Sequence, residues 1–184
     1  TRWLNVTGVQ TCALPISALV GLVAIPALGA SDAPAPAPSR LAAKSSAEPL
    51  FAAVFDDLEG KPFGFSQLKG RLLVVNFWAG WCPPCRKEIP DLIEMNAKYQ
   101  PRGVTFVGIA LDNAEVVRDL SKAYGITYQV LVGRDKGIEV LRELGNEAAG
   151  LPFTVVVDAQ GKIVATKRGP ITHDRMDQIL GPLL

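Results

Sequence analysis

Two stretches of the chain are apolar almost without a break. Residues 72–78, LLVVNFW, and 104–111, VTFVGIAL, are rich in β-branched and aromatic side chains. They read as strands covered on both faces. Between them, residues 83–99 read as a helix. Pro83 suits the first helical position, where its missing N–H costs nothing, and Pro84 is tolerated for the same reason. Pro90 falls deeper and predicts a kink. Residues 113–124 carry apolar side chains at helical spacing, with Val116, Val117, Leu120 and Ala123 on one face. Shorter elements complete the pattern. Residues 51–55 and 62–65 form a hairpin around a Glu59-Gly60 turn. Residues 129–132 are a strand and 137–144 a helix. Residues 154–158 and 163–168 pair across Ala159-Gln160-Gly161. A last helix spans 172–180, with Thr172 as its N-cap. The prediction for residues 50–184 is one α/β domain, a sandwich of helices about a mixed central sheet with an N-terminal hairpin.

Upstream the pattern is different. Residues 17–30, SALVGLVAIPALGA, are shorter than the ~20 residues of a membrane span. They suit the apolar region of a secretory signal, cleaved after Gly29 or Ala30, or an anchor if left uncleaved. Residues 31–49 alternate Ala and Pro and read as an extended linker, or as a tether when the signal is retained. Residues 6–16, VTGVQTCALPI, resemble the in-frame translation of a sequencing adapter. Residues 1–16 are therefore expected to be an artefact, which leaves Cys12 without a role. The 184 residues are 48% hydrophobic and 20% charged, enough for a real core, and the formal net charge is +1. That balance gives no basic field for nucleic acid.

The chemistry concentrates in WCPPCRKE, residues 81–88. A structural zinc site needs four ligands, and Cys82 and Cys85 have only the distant His173 to join them. Two thiolates suit Cu(I), but no Met or His clusters nearby. A disulfide closing so short a loop stabilises by only ~2 kcal/mol. Electron transfer fits best. Cys82 lies at a helix N-terminus, where the partial positive charge and spare N–H groups favour a thiolate. Cys85 lies one turn inside and can displace a mixed disulfide formed on Cys82.

VVNFWAGWCPPCRKEIP, residues 74–90, and GLPFTVVVD, residues 150–158, resemble the thioredoxin superfamily, most closely its secreted TlpA/ResA and cytochrome-c-maturation branch. The resemblance covers nearly all of residues 51–184 and implies a thioredoxin-like fold. It implies catalytic roles for Cys82, Cys85 and Glu88. It also implies that Pro152 is cis and faces the cysteines, with the Leu151 backbone offered to an incoming peptide. Trp81, Pro83, Pro84, Leu151 and Pro152 are the expected substrate contacts, with Asn76 and Pro90 in support. Asn76 replaces the buried aspartate of ordinary thioredoxins, and an amide cannot act as a base. Glu88, three residues beyond Cys85 on the same side, is expected to carry the proton instead. Trp78 is expected in the core, Arg86 and Lys87 on a solvated face, and His173 at the surface.

The expected function is periplasmic reduction of disulfides in specific partner proteins, such as an apocytochrome c, a metal-site assembly protein or another oxidoreductase. A membrane-embedded thiol reductant would supply the electrons. The expected protein is a monomer, with no metal and no cofactor beyond the Cys82–Cys85 couple. Three rivals stand beside it. A disulfide-donating oxidase would use the same residues. A peroxiredoxin-like peroxidase would need Thr or Ser and Pro where the chain has Ala79 and Val75. A docking module would need no redox couple.

Overall fold

The computed structural model describes residues 46–184. The expectations for residues 1–16 and 17–30, and for the linker up to residue 45, lie outside the described residues.

A seven-stranded sheet runs through the centre. Its strands are β1 (Val54–Asp57), β2 (Pro62–Gly64), β3 (Leu72–Trp78), β4 (Val104–Ala110), β5 (Gln129–Val132), β6 (Phe153–Val157) and β7 (Ile163–Arg168). Their order is β2-β1-β5-β4-β3-β6-β7. The three central strands β3, β4 and β5 are parallel, and β1, β2, β6 and β7 add antiparallel pairs on either side. Parallel strands need crossovers, and helices supply them. These are α2 (Pro83–Tyr99) and α3 (Ala114–Tyr124), followed by α4 (Arg134–Glu143) and α5 (His173–Leu180), with a short α1 (Glu48–Phe51) ahead of β1. The result is the expected thioredoxin-like sandwich with a mixed sheet.

The two unbroken apolar runs are the buried centre. From Leu73 to Trp78 no residue of β3 is more than 3% exposed. Helices α2 and α5 share one face. Lys98 donates to Asp177 at 2.7 Å, and the Tyr99 hydroxyl donates to the same carboxylate. These bonds hold the Asp177 carboxyl below its usual range, the Lys98 ammonium first. On the other face, α4 lies so close to β4 that a Cβ on Gly137 would come 2.4 Å from Leu111 and one on Gly133 2.6 Å from Ile109. Those two glycines set the helix–sheet approach.

Several boundaries differ from expectation. Residues 46–49 are not linker. Ser46 bridges to Lys162, Ala47 is fully buried, and Glu48 and Pro49 open α1. Phe51 ends that helix, and β1 begins only at Val54, so the first arm of the hairpin is shorter than predicted. The apolar pair Leu50 and Phe51 packs inward from a helix rather than from a strand. Helix α4 starts three residues early, at Arg134, because its N-cap is Gly133 and no side-chain cap marks the start. On α3, Val117 is buried, but Val116 is 36% exposed and Ala123 is exposed. Ser121 takes the inner position instead. Helix α2, by contrast, spans Pro83–Tyr99 as predicted, with Pro90 inside it.

Leu50 tests whether α1 belongs to the folded unit. Its side chain is fully buried. Leu50→Ala is expected to lower unfolding stability by about 2–5 kcal/mol, as for other buried leucines, in urea denaturation. A change within about 0.5 kcal/mol would mark a linker residue and sink the assignment.

Candidate active site

Strand β3 delivers the site. It ends at Trp78, and the chain turns through Ala79, Gly80 and Trp81 into α2. The Gly80 N–H donates to Asp112 Oδ2 at 3.2 Å, which ties this turn to the segment after β4. Cys82 is the N-cap of α2, and its sulfur accepts the Cys85 N–H at 3.3 Å. The two cysteines form a disulfide with Cα atoms 5.3 Å apart. Both are buried, while Trp81 is 67% exposed and Pro83 and Pro84 are exposed. An N-cap sulfur facing the helix N–H groups is where negative charge is best tolerated.

One turn below Cys85, Glu88 is only 2% exposed. Its Oε1 accepts the Ile171 N–H at 2.7 Å, just ahead of α5, and its Oε2 accepts from Asn76 Nδ2 at 3.4 Å. Asn76 also donates to Thr154 Oγ1 at 3.0 Å. Three elements thus converge on one carboxyl. Removal from water raises its pKa from the ordinary 4.5 to about 7, and the Asp91 charge adds to this. The Ile171 and Asn76 hydrogen bonds and the Lys167 charge pull the other way. A carboxyl poised near neutrality can both give and take a proton at physiological pH.

The Leu151–Pro152 peptide bond is cis. Antiparallel pairing sets Phe153 beside Phe77, so Pro152 follows at the end of the sheet from which the cysteine turn emerges. The loop leading to it is held by a residue the sequence did not single out. Asn146 is fully buried, donates to the Gly150 carbonyl at 2.7 Å and accepts the Gly150 N–H at 3.3 Å. Nothing local in LGNEAAG distinguishes that asparagine from an ordinary turn residue. The Ile171 contact was equally hidden, because a backbone N–H has no sequence signature. Asn76, expected in a supporting role, bonds both Thr154 on the neighbouring strand and Glu88. Trp78 is buried and Arg86 and Lys87 are exposed. His173 is less exposed than a plain surface residue, with Nε2 3.6 Å from Glu94 and 3.9 Å from Asp91. Among the described residues, no group of three or more His, Cys, Asp or Glu side chains is arranged to hold a metal ion.

The raised pKa of Glu88 has a consequence for stability. Between roughly pH 4.5 and 7 the folded chain keeps a proton on Glu88 that the unfolded chain has released. Stability from this group is therefore present at low pH and declines as pH rises through that window. The lost contribution is on the order of 3 kcal/mol by pH 8. Glu88→Gln is expected to stabilise the protein at pH 8 and to converge with the parent below about pH 5, read by urea denaturation. Parallel pH profiles for the two proteins would rule out a buried, raised carboxyl.

The chain matches known proteins over this whole region. The family model described as Redoxin matches residues 33–180. The thiol-disulfide oxidoreductase ResA of Bacillus thuringiensis subsp. konkukian is 32% identical over 128 residues, spanning 69% of this chain and 72% of that protein. Among solved structures, a thiol:disulfide interchange protein of Chlorobium tepidum TLS superposes with a TM-score of 0.63 at 35% identity, over 71% of this chain and 91% of that one. A secreted Mycobacterium tuberculosis disulfide oxidoreductase, described as homologous to E. coli DsbE, superposes with a TM-score of 0.62 at 25% identity, over 73% and 98% of the two chains.

Proposed function

The chain belongs to the Redoxin family and is a thiol-disulfide oxidoreductase, and we propose that it reduces disulfides of partner proteins outside the cytoplasm. The observation that carries this reading is the pairing of an N-cap sulfur with a buried carboxyl one turn beyond its partner cysteine. In the reduced state Cys82 is the thiolate and Cys85 the thiol. The Cys82 sulfur attacks one sulfur of the partner disulfide. A Cys82–partner bond forms, the partner S–S bond breaks, and the released partner thiolate takes a proton. Glu88 then accepts the Cys85 proton, and the Cys85 thiolate attacks Cys82. The intramolecular disulfide forms, the partner's second sulfur leaves, and it is protonated in turn. The partner gains two electrons and two protons. A thiol reductant, membrane-embedded on the sequence reading, restores the dithiol.

The docking face follows from exposure. Trp81, Pro83 and Pro84 are exposed next to the buried disulfide, and the Leu151 backbone ahead of the cis proline is the edge proposed to receive a partner. A partner peptide laid along Leu151 would bring its own disulfide against Cys82. Asn76 and Pro90 support this machinery, Asn76 by orienting Glu88. The extracytoplasmic setting is supported by the apolar stretch at residues 17–30 and by a relative that is itself described as secreted. An apocytochrome c or a metal-site assembly protein is the kind of partner proposed. A peroxidase is disfavoured, since Val75 and Ala79 are both fully buried apolar residues where that chemistry needs a proline and a hydroxyl.

Equilibrium titration of the Cys82–Cys85 couple against dithiothreitol or glutathione fixes the direction of electron flow. A potential near or below thioredoxin's ~−270 mV is expected for a reductase. A value nearer ~−120 mV would make the protein a disulfide donor. The order of attack is tested by Cys85→Ser, which should trap a covalent complex with an oxidised protein substrate, visible on non-reducing gels. Cys82→Ser should trap none. Equal trapping by both variants would refute the assignment.

A further inference from the structure

Glu88 faces a difficulty once a partner is docked. It must exchange a proton in every cycle, yet the partner covers the disulfide side of the site. The core beneath Glu88 contains polar groups that the mechanism above does not use. The Tyr128 hydroxyl and Trp78 Nε1 are both buried and lack a hydrogen-bond partner among the described residues. Tyr128 is 8% exposed and Trp78 1%. Unpaired buried polar groups are rare and call for an explanation such as an internal water.

These two groups meet at Gly108. A Cβ built there would lie 3.0 Å from Trp78 Nε1 and 3.1 Å from Tyr128 Cε2. Cε2 adjoins the hydroxyl-bearing carbon, so the hydroxyl end of the Tyr128 ring points inward. Gly108 is the register partner of Asn76, the residue whose amide holds Glu88. Tyr128 also lines a cavity of about 560 Å³, together with Asn96, Thr105, Thr127, Gln129 and Arg71. That cavity lies where β4 begins, at Val104, whereas the cysteine turn leaves the opposite end of parallel β3. Asn96 lies two helical turns beyond Glu88 on α2 and donates to Thr127 at 3.3 Å. Separate polar groups, Glu88 with Asn76, then Trp78 Nε1 and Tyr128 beside Gly108, then Asn96 with Thr127, therefore lie between the active-site end and the flank of the domain, with the apolar Leu92 and Met95 of α2 among them.

We propose that Tyr128 is a positioning residue for proton exchange at Glu88. Its hydroxyl and Trp78 Nε1 hold internal water that connects the carboxyl to the Asn96–Thr127 cavity, away from the docked partner. The proton moves by hydroxyl and water rotation. Tyr128 accepts one proton as it passes on another and stays neutral throughout. Its ionisation is pushed well above the usual range by burial and by the nearby Glu88 charge, which keeps it protonated. The other charged groups acting on Glu88 are Asp91 on its own helix and Lys167 on β7. His173, at the start of α5, sits against Asp91 and Glu94 instead. The inference rests on Glu88 being the proton partner of Cys85.

The test is single-turnover exchange of the reduced protein with insulin, a general protein-disulfide probe, followed from roughly pH 5 to 9. An NMR titration of Glu88 with carboxyl-labelled glutamate accompanies it. Tyr128→Phe removes one oxygen and keeps the ring, so the melting temperature should stay within about 2 °C or rise. It is expected to slow exchange about threefold to tenfold above pH 7 and to raise the Glu88 midpoint. Asn96→Leu, which closes the outer end of the proposed route, should reproduce the slowing without moving the midpoint. Glu88→Gln should flatten the pH profile. If Glu88→Gln has that effect and Tyr128→Phe leaves both profile and midpoint unchanged, the relay is refuted and the Glu88 reading stands. If Glu88→Gln leaves the profile intact, the Glu88 reading fails and the relay falls with it. Slowing in Tyr128→Phe but not in Asn96→Leu would also overturn the route to the cavity.

Discussion

A carboxyl group taken out of water one turn below a cysteine is the constraint around which the centre of this protein is arranged. An isolated buried carboxylate is costly, and the usual outcomes are protonation or capture by hydrogen-bond donors. Glu88 sits between these outcomes. The Ile171 N–H and the Asn76 amide supply donors for the charged form, while burial favours the neutral one. Burial outweighs the donors, and the donors hold the rise to about 7. Each donor is fixed by a different part of the fold. Asn76 is placed by the pairing of β3 with β4 and β6, and Ile171 by the chain segment that leads into α5. The sheet and the last helix therefore act on the proton affinity of one residue.

The same arrangement explains the asparagine on β3. An acid at Asn76 would place a second negative charge within hydrogen-bonding distance of Glu88, and two adjacent carboxylates cannot both ionise readily. An amide donates where a carboxylate would repel. Its second contact, to Thr154 on the neighbouring strand, fixes which way the NH2 group faces. With the acid on the helix rather than on the strand, the sulfur that accepts the Cys85 N–H and the carboxyl proposed to exchange protons share one rigid element. Cys82 at the N-cap feels the positive end of α2, and Glu88 lies beyond the first turn, where that field has weakened.

Much of this was legible in the residues. LLVVNFW and VTFVGIAL declare two covered strands because continuous β-branched runs have few other stable uses. WCPPCRKE declares a strand-to-helix junction because proline is favoured at the first helical position and nowhere deeper. The failures have physical causes of their own. Phe51 was placed in a strand because a short apolar run does not distinguish four residues of helix from an extended arm. Arg134 was missed as a helix start because Gly133 offers no side-chain cap, and the close approach to Ile109 that requires a glycine there is a tertiary fact. Asn146 and Ile171 were invisible for a related reason. Their contribution is a hydrogen bond across the fold, and no local pattern encodes it.

In the proposed mechanism the site separates two flows that share a residue neighbourhood. Electrons enter and leave through sulfur atoms that a partner must touch, so that face has to be occluded during transfer. Protons need no such contact, and a buried acid that could be reached only from the occluded face would be locked in one state while the partner is bound. A protein of this size has little room for an independent channel. Water held inside an existing interface between helix and sheet would be the economical solution, and the buried face of α2 carries polar groups at two points, Glu88 and Asn96, with the apolar Leu92 and Met95 between them. Gly108 is the point at which an apolar core would otherwise close. Any side chain there would fill the space beside Trp78 Nε1 and the Tyr128 ring, so the absence of a Cβ leaves room next to these two residues.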